Sequence, residues 1–211
     1  MSACVIVGGA EIKKYDEIKK YLSADDFYIF CDCGLNHLEK LGVKADLIVG
    51  DFDSHKKPDT DIETIVLPCE KDDTDTVFAI KEAIKRGYKN FILIGVVGGR
   101  FDHTLGNISI LMMLENQGLK GKIIDDFSEM EIVSQATVFV EDKFAYFSLL
   151  NISGEAEGVT IKNAKYPLEN AEIKSDYPIG VSNEVIKGKT AEISVKNGQL
   201  LLIKIRQEAK G

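Results

Sequence analysis

What this chain has little of narrows it first. It contains no tryptophan, three histidines and four cysteines. His37, His55 and His103 stand far apart, so a histidine-rich transition-metal site is not expected. Cys4, Cys31, Cys33 and Cys69 all fall in the first third; Cys31 and Cys33 flank one aspartate and make no C-x-x-C, and no paired Cys/His zinc spacing follows. They read as reduced, buried thiols of a cytoplasmic protein. No apolar run approaches the roughly 20 residues of a membrane span. The stretch Met1 to Gly9 lacks the charged start and the long apolar core of a signal peptide. Basic residues are outnumbered, 26 against 34, for a net charge of −8. That balance argues against nucleic acid or a membrane as partner. Familiar loops are missing too. No G-x-G-x-x-G follows the first apolar run and no G-x-S-x-G elbow occurs. Gly188-Lys189-Thr190 ends like a Walker A loop but has Asn183 where that motif needs glycine.

What is present is a core. With 211 residues and 45% of them hydrophobic, the chain can build one large domain or two small ones. Its first part alternates short, nearly continuous apolar runs with amphipathic ones. Strands are expected at 3–7, 27–31, 47–49, 62–67, 91–97 and 122–124. Helices are expected at 12–22, 35–41, 76–86 (closed by Gly87) and 104–114 (ending near Gly118). Such alternation predicts a parallel α/β sheet covered on both faces. Past about residue 132 the helical period disappears. Short alternating runs take over at 137–140, 145–149, 159–161, 171–173, 191–195 and 200–205, with Pro167 and Pro178 between runs and Asn197-Gly198 as a hairpin signal. The expected architecture is an α/β domain, residues 1–128, followed by a small antiparallel β-sandwich, residues 136–211, with the boundary between Asp125 and Ala136.

The chemistry should collect beyond the carboxyl ends of the parallel strands, where open α/β sheets bind ligands. Asp32 follows the second strand. Gly50-Asp51-Phe52-Asp53-Ser54 follows the third and sets two carboxylates two residues apart, a pair that repels unless a cation neutralises it. Asp72, Asp73 and Asp75 precede the next helix. Gly98-Gly99-Arg100-Phe101-Asp102-His103 opens another. Adjacent glycines let backbone approach a ligand, Arg100 offers a planar fork to phosphate oxygens, and the helix start suits an anion. Asp102 is also readable as that helix's N-cap, the commoner role for an aspartate there. His103 stands beside the phosphate loop with no role decided by sequence.

Taken in order, Asp32-Cys33-Gly34-Leu35-Asn36, Gly50–Ser54, Asp72-Asp73-Thr74-Asp75 and Gly98–His103 with Asn107 resemble the thiamine pyrophosphokinase family. So do Gly158–Ile161, Tyr166-Pro167-Leu168 and Gly180-Val181-Ser182-Asn183-Glu184. The resemblance spans roughly residues 30 to 205. It implies a Rossmann-like α/β domain followed by a β-sandwich, and transfer of the terminal diphosphate of ATP to the hydroxyl of thiamine, giving thiamine diphosphate and AMP. It also implies a homodimer with thiamine bound between subunits. Carried onto this chain, Asp51, Asp53 and Asp75 would be catalytic and hold Mg²⁺. Asp32, Gly34, Gly98, Gly99, Arg100, Asp102 and His103 would bind nucleotide. Asn36, Asp72, Asn107, Ser182 and Asn183 would bind substrate. Cys33 stands where the family's turn has glycine, which is tolerable if its φ is negative. Without tryptophan, stacking on thiamine would fall to Tyr, Phe or apolar side chains. Two other readings carry the same parts: a pyrophosphokinase for another small alcohol such as a pterin, and a non-catalytic sensor of nucleotide or thiamine diphosphate.

Overall fold

The computed structural model describes residues 2–52, 59–68, 70 and 72–206. Asp53, Ser54, His55 and Cys69 lie outside the described residues. The chain divides into two compact units, Met1–Asp126 and Phe127–Gly211.

In the first unit, strands β1 (Cys4–Val7), β2 (Phe27–Cys31), β3 (Leu47–Gly50), β4 (Thr64–Val66), β5 (Asn90–Ile94) and β6 (Lys120–Ile124) alternate with helices. These are α1 (Tyr15–Lys19), a 3-10 segment (Asp32–His37) running into α2 (Leu38–Leu41), α3 (Asp75–Lys85) and α4 (Phe101–Asn116). The strands pair in the order β4-β3-β2-β1-β5-β6, all in parallel; Ile6 of β1 lies between Ile29 of β2 and Leu93 of β5. β1 is buried along its whole length because helices cover both faces, which is why its sequence is unbroken by polar residues. The chain builds outward from β1 through β2, β3 and β4, then returns to lay β5 on β1's other side. The order therefore switches between β1 and β5, opening a crevice there.

The second unit has two antiparallel layers. One runs β7 (Ser128–Val133), β13 (Asn197–Arg206), β9 (Phe144–Glu157). The other runs β11 (Leu168–Ala171), β10 (Val159–Lys162), β12 (Thr190–Ser194), β8 (Val138–Glu141). Val133, Leu149, Leu200 and Leu202 from the first layer pack with Val140, Val159, Ile161, Ala191 and Ile193 from the second in one buried cluster. Both the α/β architecture and the β-sandwich expected from sequence are present.

Two expectations are corrected. Asn197-Gly198 makes no hairpin, because β12 and β13 belong to different layers. Asn197 and Gly198 instead start β13 against Glu157 and Ala156 of β9. Gly198 has φ 85° and so close a neighbour in the Glu155 carbonyl that no side chain fits. Both strands aim apolar residues at one core from opposite sides, which a tight hairpin would forbid. The helix expected at 12–22 is confined to Tyr15–Lys19. The N–H groups of Lys13 and Lys14 are taken by the Asp126 carboxylate at 2.8–3.1 Å. That carboxylate pins the segment before α1, and Lys14, at the N-cap position, makes no side-chain cap.

Candidate active site

A cavity of about 440 Å³ opens at the switch between β1 and β5. Its walls are the ends of three strands and the starts of two helices: Gly8–Glu11 after β1, Cys31–Cys33 at the end of β2, Thr74–Thr76 at α3, and Gly95, Val96 and Gly98–Arg100 after β5 with His103 and Asn107 of α4. Backbones crowd at its base. A Cβ on Gly8 would sit 2.5 Å from the Gly95 carbonyl oxygen, and one on Gly95 as close to that of Gly8, so only glycine fits at either strand end.

Asp32 is the site's most unusual residue. It holds φ 39°, a left-handed conformation that aspartate tolerates better than most. The positive φ of this turn falls on Asp32 and not on Cys33, so cysteine is accommodated where the resemblance leads to an expectation of glycine. Asp32 Oδ2 accepts a hydrogen bond from the Cys33 thiol at 3.2 Å, while Oδ1 is buried with no partner among the described residues. A buried acceptor left unmade is costly and points to a ligand that supplies the donor or the cation.

The neighbouring acids are brought toward it by backbone. A Cβ on Gly50 would lie 3.2 Å from Asp32 Cβ, which sets half-buried Asp51, the next residue, beside the end of β2. The Asp75 carbonyl accepts from the Cys31 thiol at 3.7 Å, and Thr74 caps α3 by accepting from the Val77 N–H at 3.3 Å. Among the described residues no three acidic, His or Cys side chains are grouped tightly enough to hold a metal by themselves. The donor set still suits Mg²⁺, which takes one or two carboxylates and completes its shell with water and substrate phosphate. The partnerless oxygen of Asp32 is in keeping with that arrangement.

The glycine loop has its own order. Gly98 and Gly99 have φ of 94° and 65°. The Gly98 N–H donates to Thr104 Oγ1 at 3.0 Å, and Asn107 Nδ2 donates to the Val96 carbonyl at 2.6 Å, holding the loop to α4. Asp102 is not the N-cap residue: that position is held by Arg100, whose guanidinium forks onto the Asp102 carboxylate, while the same carboxylate accepts from the His103 N–H. The hydrogen bonds from Arg100 hold that carboxyl down to about 2. Both side chains are well exposed, at 71% and 64%, so the pair is available to exchange partners.

Other expected residues lie apart from the cavity walls. Gly34 is buried with its Cα so near the Val7 carbonyl that a Cβ would sit 2.2 Å from the oxygen, which makes it a packing glycine. Asn36 and Asp72 are exposed, and Asp73 is spent on Lys81 at 2.7–2.9 Å. Ser182 and Asn183 belong to the second unit. Ser182 has φ 58° and its N–H donates to Ser148 Oγ at 3.0 Å. Asn183 is buried, and its carboxamide accepts from the N–H of Tyr166 at 3.0 Å and donates to the Tyr166 carbonyl at 2.8 Å. Those bonds make it a brace for the 165–166 segment. The Gly8–Glu11 wall was not expected as part of the site. Its one signal in the sequence is Gly8-Gly9 directly after the first strand.

Residues 18–123 match the family model described as thiamin pyrophosphokinase, catalytic domain, and residues 135–200 match thiamin pyrophosphokinase, vitamin B1 binding domain. The chain is 27% identical over 212 residues to a thiamine pyrophosphokinase of Bacillus subtilis, covering 97% of this chain and 99% of that protein. A solved structure of a thiamin pyrophosphokinase family protein from Enterococcus faecalis superposes with a TM-score of 0.80 at 27% identity, over 98% of this chain and 100% of that one. The Candida albicans thiamin pyrophosphokinase shares the fold at 14% identity, with a TM-score of 0.81 over 98% and 89% of the two chains. With one family model on each unit and relatives matched nearly end to end, the chain belongs to the thiamin pyrophosphokinase family.

Proposed function

We propose that the protein is a thiamine pyrophosphokinase that moves the terminal diphosphate of ATP onto the hydroxyl of thiamine. The observation that carries the reading is the switch-point cavity, with a buried, partnerless carboxylate oxygen on Asp32, inside the segment matched by the family's catalytic domain. The thiamine hydroxyl oxygen bonds to the β-phosphorus of ATP. The bond from that phosphorus to the oxygen bridging the α-phosphate breaks, AMP leaves with the electron pair, and the hydroxyl proton is released. Little covalent work falls to the protein in such a transfer; it positions the reactants and stabilises charge.

Arg100 exchanges the Asp102 carboxylate for phosphate oxygens, and the Gly98-Gly99 backbone and the first turn of α4 face the same anion. Asp51, Asp53 and Asp75 would hold Mg²⁺, which when bound neutralises phosphate charge. Ser182 contacts thiamine, with Asn183 holding its segment in place. The enzyme works as a homodimer in the cytoplasm. Supporting the dimer are apolar side chains left open, Phe101 and Leu105 on α4 and Tyr177, Ile179 and Val181 in the second unit. Supporting the compartment are the thiols of Cys4, Cys31 and Cys33. Light scattering on the purified protein reads the first of these directly.

The test is product analysis. With ATP, Mg²⁺ and thiamine, AMP and thiamine diphosphate should form in equal amounts. ADP in place of AMP, or no thiamine-dependent AMP, would overturn the reading.

A further inference from the structure

We infer that His37 is a positioning residue for nucleotide binding: clamped between Tyr15 and the Ala10 carbonyl, it fixes the Gly8–Glu11 wall of the cavity. The inference rests on the cavity being the nucleotide site.

His37 ends the 3-10 segment that begins at Asp32, and it is 7% exposed. Its Nε2 lies 3.0 Å from the Ala10 carbonyl oxygen and its Nδ1 lies 2.7 Å from the Tyr15 hydroxyl. A carbonyl oxygen only accepts, so Nε2 carries the proton. Nδ1 is then bare, and the Tyr15 hydroxyl donates to it. Each bond fixes the other, and together they select one tautomer of a neutral ring. Burial, aided by the Lys40 ammonium, disfavours the charged form and holds the imidazole pKa below its usual value. Lys40 also sits 5.4 Å from the centre of the Tyr15 ring.

The wall packs on Cys33 at Gly9, where an added Cβ would sit 2.5 Å from the Cys33 Cβ, and hydrogen bonds tie its flanks. The Gly8 N–H donates to the Ile94 carbonyl at 2.9 Å and the Ala10 N–H donates to the Gly95 carbonyl at 2.8 Å, both toward β5. His37 supplies the tie on the β2 side. The Ala10 peptide is therefore held from both flanks, its N–H by Gly95 and its C=O by His37, across the strand switch. The C=O matters most. A carbonyl oxygen released toward a phosphate-filled cavity would repel the ligand and leave a buried acceptor unmade. Tyr15 opens α1, the helix into which the wall continues, so the clamp closes a ring from β1 through the wall to α1 and back to the end of β2.

Steady-state kinetics and direct MgATP titration on His37→Leu, His37→Gln and Tyr15→Phe test it, each with a melting curve. His37→Leu should weaken nucleotide binding and raise the ATP KM by about 3- to 10-fold, the worth of one neutral hydrogen bond, with the thiamine KM within about two-fold. His37→Gln retains a donor and should recover most of the loss. Tyr15→Phe should raise the ATP KM by about two- to three-fold, and the increase should vanish in the His37→Leu background. Equal changes in both KM values would overturn the assignment. So would a His37→Gln protein no better than His37→Leu at matched stability. If His37→Leu does not fold, an unchanged ATP KM in Tyr15→Phe overturns it alone. Absence of thiamine-dependent AMP from the unmodified protein would instead indict the proposed reaction, and the MgATP titrations would still judge His37.

Discussion

Each unit buries a carboxylate oxygen, and the two dispose of the charge in opposite ways. In the second unit Glu129 and Glu131 share Lys204, whose ammonium lies 3.1 and 2.8 Å from their oxygens. The side chains of Lys204 and Glu129 are only 7% and 5% exposed. Burial alone would push Lys204 toward its neutral form, but the two carboxylates outweigh it and hold its pKa above the ordinary lysine value. In the first unit Asp32 keeps one buried oxygen with no partner among the described residues. A charge cluster closed by the chain's own cation is architecture. One left open at a strand switch is a place for a ligand.

The comparison breaks most visibly at Lys204. Lys204→Met should cost about 3–5 kcal/mol, because it strands buried carboxylates, and denaturant melts at neutral pH will read it. The sign with pH follows from a raised pKa. The stabilisation is whole below the ordinary lysine value of 10.5 and is lost as pH climbs through the higher folded value, so Lys204→Met should flatten the alkaline limb of the stability profile. The opposite is expected of Asp32→Asn, and of Asp51→Asn beside it. Turnover should fall by about 10²- to 10³-fold, the usual cost of removing a preorganised electrostatic group. The melting temperature should hold or rise for Asp32→Asn, since its Oδ1 has no native partner to lose. An enzyme assay and a thermal scan on one preparation distinguish the two outcomes. The smallest effects sharpen the contrast inside the second unit. Asn183→Ala should lose about 1–3 kcal/mol by orphaning Tyr166, with its effect on the thiamine KM accompanied by that instability. Ser182→Ala should raise the thiamine KM while stability stays within about 0.5 kcal/mol.

Much of the fold was legible in advance because burial writes itself into composition. β2 lies where its apolar run lies, and α3 and α4 end at Gly87 and Gly118, both with positive φ. The elements that escaped are those whose partners are distant in sequence. Residues 128–133 carry Glu129 and Glu131 on the same face as the core residue Val133, so the polar-apolar alternation of β7 marks the wrong face as exposed. Asn197-Gly198 has hairpin composition and none of its structure, because the choice of layer is made by the core. Within the site, acidic strand ends were readable as residue types. That Asp32 carries the orphaned oxygen, that Arg100 is forked onto Asp102 and that Asn183 is spent on Tyr166 depends on which groups meet.

By itself the sequence determined the two architectures, the order of the motifs and the kind of chemistry. Hydrophobic period and residue type are local properties, and they survive without knowledge of neighbours. Only the tertiary structure decided which carboxylate is neutralised and which is left open, and that a histidine 27 residues from Ala10 holds the cavity wall. A charge or a donor is defined by what stands within about 3 Å of it, and that is set by packing rather than by position along the chain.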